Sequence, residues 1–177
     1  MSRFLFKVGM IVAMASAAIP AEAQIAKSGY ALPLSLAMEA AAEAVRACES
    51  NGYAVSASVV DPSGVVKVQA KGDHSTIHTR DSSFRKAYTV VTLGPIFHFD
   101  TSGVFAEMVA KNPAGPALAS LPDIFPLAGG VAIKAGDEIV AALGVGGAPG
   151  GDKDEACARA GVTKIQDRVT ATQKRAG

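Results

Sequence analysis

Between Gly72 and Thr92 the chain gathers His74, His78, Arg80, Arg85, Lys86, Asp73 and Asp81, including two of its three histidines. Imidazoles ligate metals or carry protons, and guanidinium and ammonium groups hold carboxylates. His74 and His78 are four residues apart, a spacing that shares one face only in a helix. Gly72 and Ser75 mark the first part as loop, so the spacing does not by itself make a two-histidine metal site. The third histidine, His98, follows the helix that this stretch begins.

These residues sit at a strand-to-helix junction. Gly72 and Asp73 end a strand-like run, and Thr79 is expected to cap a helix over 80–92 by accepting the N–H of Ser82. His78 would then lie just outside the helix. Phe84, Tyr88 and Val91 recur at helical spacing, with Arg85 and Lys86 read as a solvated face or a subunit contact. Leu93-Gly94-Pro95 is expected to stop the helix, followed by a short Ile96–Phe99 segment.

The remaining elements follow from periodicity and punctuation. Residues 35–50 predict a helix with a face of small residues, Ser35 as N-cap and Gly52 beyond its end. Tyr53 to Val60 and Val65 to Ala70 form a hairpin about Asp61-Pro62-Ser63-Gly64, where Asp61 does ordinary turn chemistry. Asp100 or Thr101 caps a helix reaching Lys111, and 112–128, with four prolines, reads as loop. A second hairpin spans 129–133 and 139–145. The last helix starts at Asp152, with Glu155 at capping-box spacing, and frays from Thr170. This order predicts an α/β (α+β) chain with an antiparallel sheet of four or five strands, terminal helices on one face and central helices crossing between the hairpins.

The first residues are set apart from the fold. Arg3 and Lys7, an apolar run from Val8 to Ile19, and Ala21-Glu22-Ala23 read as a secretory signal peptide over 1–23. One domain over 24–170 and a tail over 171–177 are expected, in a periplasmic or secreted protein with no membrane span. The net charge is +1 over the whole chain. Without Arg3, Lys7 and Glu22 the balance is zero, which argues against nucleic acid as a partner and for a small molecule or another copy of the chain. Cys48 and Cys157 are the two cysteines. In an exported chain they permit a disulfide from the first helix to the last, and two buried thiols fit the same pattern.

The glycine-rich run from Gly144 to Gly151 follows a strand and opens a helix, as phosphate-binding loops do. It has neither GxGxxG nor GxxxxGK[ST] spacing, and Asp152 and Asp154 would repel phosphate. Close approach of another backbone explains these glycines better.

Taken in order, Val60-Asp61-Pro62-Ser63-Gly64, His78-Thr79 with Asp81-Ser82, Arg85-Lys86-Ala87-Tyr88-Thr89, Gly129-Gly130-Val131, and Gly144-Val145 through Pro149 to Cys157 resemble the GlcG/HbpS family, which includes the C-terminal domain of PduO-type proteins. The resemblance covers nearly all of the chain after residue 23. It implies a profilin-like fold, homo-oligomers and, for exported members, haem binding. The chain departs from the usual pattern at His74-Ser75, Ala132 and Gly146.

For haem, iron needs a donor such as imidazole, the macrocycle an apolar slot, and the propionates cations or N–H groups. His78 is the first choice as axial ligand, His74 the second and His98 the third. Phe84, Tyr88 and Phe97 are candidates for the slot, and Arg80, Arg85 or Lys86 for the propionates. The leading reading is an exported, oligomeric, non-enzymatic haem or tetrapyrrole binder acting in uptake, storage or sensing, with no catalytic residues assigned. The alternative is an enzyme acting on a small organic acid or a cofactor breakdown product, with His78 as general base and Arg80 or Lys86 holding a carboxylate. No GxSxG, HExxH or kinase-type signature supports it.

Overall fold

The computed structural model describes the backbone of residues 29–176 and the side chains through 169. The expected leader, residues 1–23, and the expected tail, 171–177, fall outside this description in whole or in side chain. Among the described residues no helix is long and apolar enough to cross a membrane.

Among the described residues nine elements follow in the order α1 (Leu34–Glu49), β1 (Ser56–Val60), β2 (Val66–Lys71), α2 (His78–Phe97), α3 (Ser102–Lys111), α4 (Gly115–Ala119), β3 (Gly130–Ala135), β4 (Glu138–Gly146) and α5 (Gly151–Ala176). The four strands form one antiparallel sheet in the order β2-β1-β4-β3. The two hairpins therefore join through their inner strands, β1 and β4. β2 forms an open edge, whereas β3 is closed off by the Thr101–Val131 bridge and by Ala132 N–H donating to the Asp100 carbonyl.

Alternation along the strands sorts side chains between two cores. Ala57 and Val59 of β1 and Ala141, Leu143 and Val145 of β4 face α1 and α5, which contribute Ala40, Ala44, Ala158, Val162 and Ile165. Val60, Ala132 and Ala142 face Ala87, Val90 and Val91 of α2, with Phe99, Phe105 and Ile124 closing that side. The terminal helices thus share one face, and α2 lies across the other. Cys48 and Cys157, on facing helix ends, form a disulfide with their Cα atoms 5.5 Å apart.

Glycines set how closely α2 approaches the sheet. A Cβ on Gly144 would stand 2.1 Å from the Ser83 carbonyl oxygen, and one on Gly130 would stand 2.3 Å from that of Lys86. The glycines of β3 and β4 are therefore a track for the helix backbone. Asp61 also behaves as its sequence predicts, its Oδ1 accepting the N–H groups of Ser63 and Val65.

Several expected boundaries move. α1 begins behind Pro33 with no side-chain cap, so Ser35 is not its N-cap. α2 starts at His78 rather than Arg80 and runs through Gly94 and Pro95 to Phe97. Proline removes one N–H bond and does not end a helix that has only two more residues to run. The stop is His98, left-handed at φ 56°, after which Phe99 N–H closes back on the Gly94 carbonyl. Thr101 does cap α3, accepting the N–H of Val104. The 112–128 segment contains the short helix α4. At the start of α5, Glu155 pairs with Arg159 instead of closing a capping box with Asp152, and Asp154 accepts the N–H of Ala148.

Candidate ligand site at the start of the central helix

One end of the sheet carries the start of β1, the end of β4, the loop before α2 and the turn before α5. Here the 72–77 loop and the first turn of α2 rest on buried hydroxyls of β1. Ser56 Oγ lies 2.8 Å from Thr79 Oγ1 and 3.4 Å from Ser75 Oγ, and Ser58 Oγ lies 2.8 Å from Ser83 Oγ. Thr79 is fully buried and its hydroxyl donates to the Thr76 carbonyl at 2.6 Å. The expectation that Thr79 caps α2 therefore fails. Its side chain faces the sheet, where Ser56 competes for it.

His78 is the first residue of α2 and is exposed. Its Nδ1 lies 3.0 Å from Thr76 Oγ1, and Nε2 has no hydrogen-bond partner among the described residues. His74, also exposed, adopts a left-handed backbone at φ 62°. Only glycine adopts that region freely, so the loop holds His74 there against its own preference. Ile77, between the histidines, is 85% exposed. His98 lies at the far end of α2, roughly 30 Å away at the usual helical rise. Phe97 shares that distant end, so within the chain neither it nor His98 adjoins His78.

Helical geometry also separates the residues close to His78. At 100° per residue, Phe84 lies about 120° round α2 from His78, and Arg80 about 160°. Phe84 and Tyr88 stack tilted with centroids 5.5 Å apart, toward the β1–β2 turn, where a Cβ on Gly64 would strike the Tyr88 ring. Arg80 is exposed and pairs with Asp81 at 3.0 Å. Ser82 and Arg85 share the flank of His78. Arg85 is spent on the loop after α4, donating to the Ile124 carbonyl at 2.9 Å with its guanidinium 4.8 Å over the Phe125 ring.

Lys86 departs most from expectation. Rather than solvated, it is 1% exposed, and its Nζ meets Asp154 Oδ2 at 2.6 Å. Burial pushes the Asp154 carboxyl above its usual range, while the Lys86 ammonium and the N–H groups of Ala148 and Gly147 pull it back. The carboxylate thus holds both the lysine and the 147–150 turn. That turn passes against α2, where a Cβ on Gly147 would lie 3.1 Å from Thr79 Cγ2. Asp154 was missed as a site residue. The available signal was Lys86 itself, which falls on the stripe Thr79, Ser83, Lys86, Val90 that faces the sheet.

The arrangement offers an outward imidazole at a helix start, an exposed isoleucine beside it and a glycine turn held by Asp154 behind. Two of the cations considered for an anionic ligand, Arg85 and Lys86, are already committed. Lys153, with its ammonium 5.4 Å over the Tyr53 ring, and Arg80 remain near this end. No group of three or more His, Cys, Asp or Glu side chains among the described residues could hold a bare metal ion.

Comparison with known proteins places this geometry in context. Residues 32–163 match the family model described as haem degrading protein HbpS-like. The crystal structure of a double mutant of HbpS from Streptomyces reticuli is 35% identical, with a TM-score of 0.71, covering 88% of this chain and 99% of that one. A second HbpS crystal structure is also 35% identical, with a TM-score of 0.70 and coverage of 85% and 99%. A PduOC:Heme complex shares the fold at 18% identity, with a TM-score of 0.66 and coverage of 77% and 96%. No curated protein matches the chain. With the family model spanning most of the chain and HbpS aligned over nearly its full length, the chain belongs to the HbpS-like family.

Proposed function

We propose that the protein binds haem or a closely related tetrapyrrole through His78, as an exported, homo-oligomeric, non-enzymatic protein of haem uptake, storage or sensing. The observation that carries the reading is the outward, unpartnered Nε2 of His78 in a member of a haem-associated family. A neutral imidazole nitrogen is a competent iron donor, and the haem, when bound, supplies an iron that accepts it. The exposed Ile77 offers apolar contact beside that donor, and Lys153 is a cation near this end for the propionates. Export is supported by the leader-like residues 1–23 and by the Cys48–Cys157 disulfide, which suits an oxidising compartment. Assembly is supported by the open edge of β2 with Val65 and Val66 exposed beside it, and by Leu34 and Met38 exposed on α1.

Catalysis by His78 as a general base gains less from the geometry. Arg80 points round the other side of α2 and Lys86 is buried against Asp154, so neither stands beside His78 to hold a substrate carboxylate.

Hemin titration followed by absorbance tests the reading, with wild type beside His74→Ala, His78→Ala and His98→Ala. The expected result is a saturable Soret shift that is lost in His78→Ala and unchanged in His98→Ala. A flat wild-type titration overturns it. Light scattering of the same samples, with and without hemin, reads the assembly.

A further inference from the structure

We propose that Thr76 is a positioning residue that fixes His78 as a ligand through Nε2, by accepting the Nδ1 proton on its hydroxyl. The inference deepens the reading of His78 as the haem ligand and rests on it for its role, though not for its first test.

Proton bookkeeping along the buried hydroxyls gives the network a direction. A hydroxyl has one proton to donate. Thr79 Oγ1 lies 2.6 Å from the Thr76 carbonyl, which only accepts, so the Thr79 proton is committed there. Ser56 must then donate across its 2.8 Å contact to Thr79, and Ser75 across its 3.4 Å contact to Ser56. The bonds run from Ser75 through Ser56 and Thr79 to the backbone of Thr76. That same carbonyl also receives the Thr79 N–H at 3.2 Å. Thr76 is therefore held by both donors of a fully buried residue, itself anchored on the central strand β1. Its side chain, by contrast, is exposed and reaches His78 Nδ1 at 3.0 Å.

The pattern repeats along the loop. Each of the two histidines, His74 and His78, is followed by a hydroxyl residue, Ser75 and Thr79, and both hydroxyls converge on Ser56. One buried serine thus fixes the chain directly after each imidazole. Rings tethered in this way are presented outward while their backbone is locked from below. A ligating histidine ordinarily donates its other ring N–H to an acceptor, which sets the tautomer and raises the basicity of the ligating nitrogen. Thr76 supplies that acceptor, and the free side of the ring is the Nε2 lone pair.

The tautomer can be read in the protein without haem. Long-range proton–nitrogen NMR of 15N-labelled protein at about pH 8.5, above the ordinary imidazole range of about 6.5, should show His78 with a protonated Nδ1 and a bare Nε2. Thr76→Val should move the proton to Nε2, and Thr76→Ser should restore it. Thr76 is exposed at its side chain, so both variants should keep the fold, which circular dichroism checks. A wild-type His78 protonated at Nε2 overturns the proposal. In the hemin arm, Thr76→Val should weaken binding about 10-fold or more, with Thr76→Ser near wild type. Equal binding by Thr76→Val and wild type, in a protein where His78→Ala abolishes the Soret shift, also overturns it. If His78→Ala binds hemin like wild type, the ligand reading fails, and the NMR result still decides whether Thr76 sets the tautomer.

Discussion

Lys86 sits among small and hydroxylated side chains, and its ammonium has one carboxylate to meet. Removing one member of a buried pair leaves the other charged and desolvated, which costs about 3–5 kcal/mol. Lys86→Ala should therefore lower urea-unfolding stability by about that amount. Lys86→Met combined with Asp154→Leu should recover much of the loss, because apolar replacement of both charges is often close to neutral. Recovery should stop short of wild type, since the leucine orphans the Ala148 N–H that Asp154 accepts, worth about 1–3 kcal/mol. A double variant no better than Lys86→Ala would mean that Asp154 matters chiefly for the turn. Lys86, read from the sequence as solvated or at a subunit contact, falls on the inward stripe of α2, and its partner was not legible, because Asp154 is 68 residues away in sequence and only the fold brings the two together.

Element order, strand pairing within hairpins and the seat of the terminal helices all follow from periodicity and turn chemistry. What periodicity does not carry is where a helix stops when two signals compete. Gly94-Pro95 reads as a break, but Gly94 packs against the Phe99 carbonyl and Ile139, so the helix gains by continuing over the sheet. The glycine track was legible as close backbone approach, and its partner, the Ser83–Lys86 segment of α2, was not. Gly144→Ala should cost about 1–3 kcal/mol or more, since its Cβ meets backbone that cannot swing aside. Thermal unfolding checks this, and a neutral result would show that α2 can slide on β4. Between α1 and α5, Arg168 grips Glu39 through two bonds of 2.7 Å. That contact holds the Glu39 carboxyl below its ordinary value of 4.5. A depressed carboxyl stabilises the fold above its unfolded value and loses that contribution as pH falls through the folded value. Glu39→Gln should thus lower the melting temperature slightly at neutral pH, with the gap to wild type closing as the pH falls through the lowered folded-state value. A gap independent of pH would assign the effect to packing.

At the scale of the whole molecule, the disulfide joins the last turn of α1 to the first turns of α5, spanning 109 residues and thus both hairpins and every central helix. The sequence left two possibilities because a cysteine on a small-residue stripe packs equally well as a thiol. A Cα separation of 5.5 Å, within the range a bridge requires, decides between them. Both sulfurs lie in the α1–α5 core beside Ala44 and Ala158, so replacing them with alanine leaves little strain in the folded state. The effect of the bridge should fall on the unfolded chain, where closing a loop of this length is worth about 4.7 kcal/mol by chain entropy and typically about 2–4 kcal/mol in practice. Cys48→Ala with Cys157→Ala should therefore lose stability in that range and unfold with a steeper urea dependence, because an untied chain exposes more surface. The same variant should bind hemin as wild type does. The turn bordering His78 is held by Asp154 and Lys86, one helical turn before Cys157 and anchored to α2 rather than to α1. A loss of stability with an unchanged urea slope would place the effect of the bridge in the folded state. A loss of hemin affinity would show that α5 transmits the tie at Cys157 to the 147–150 turn.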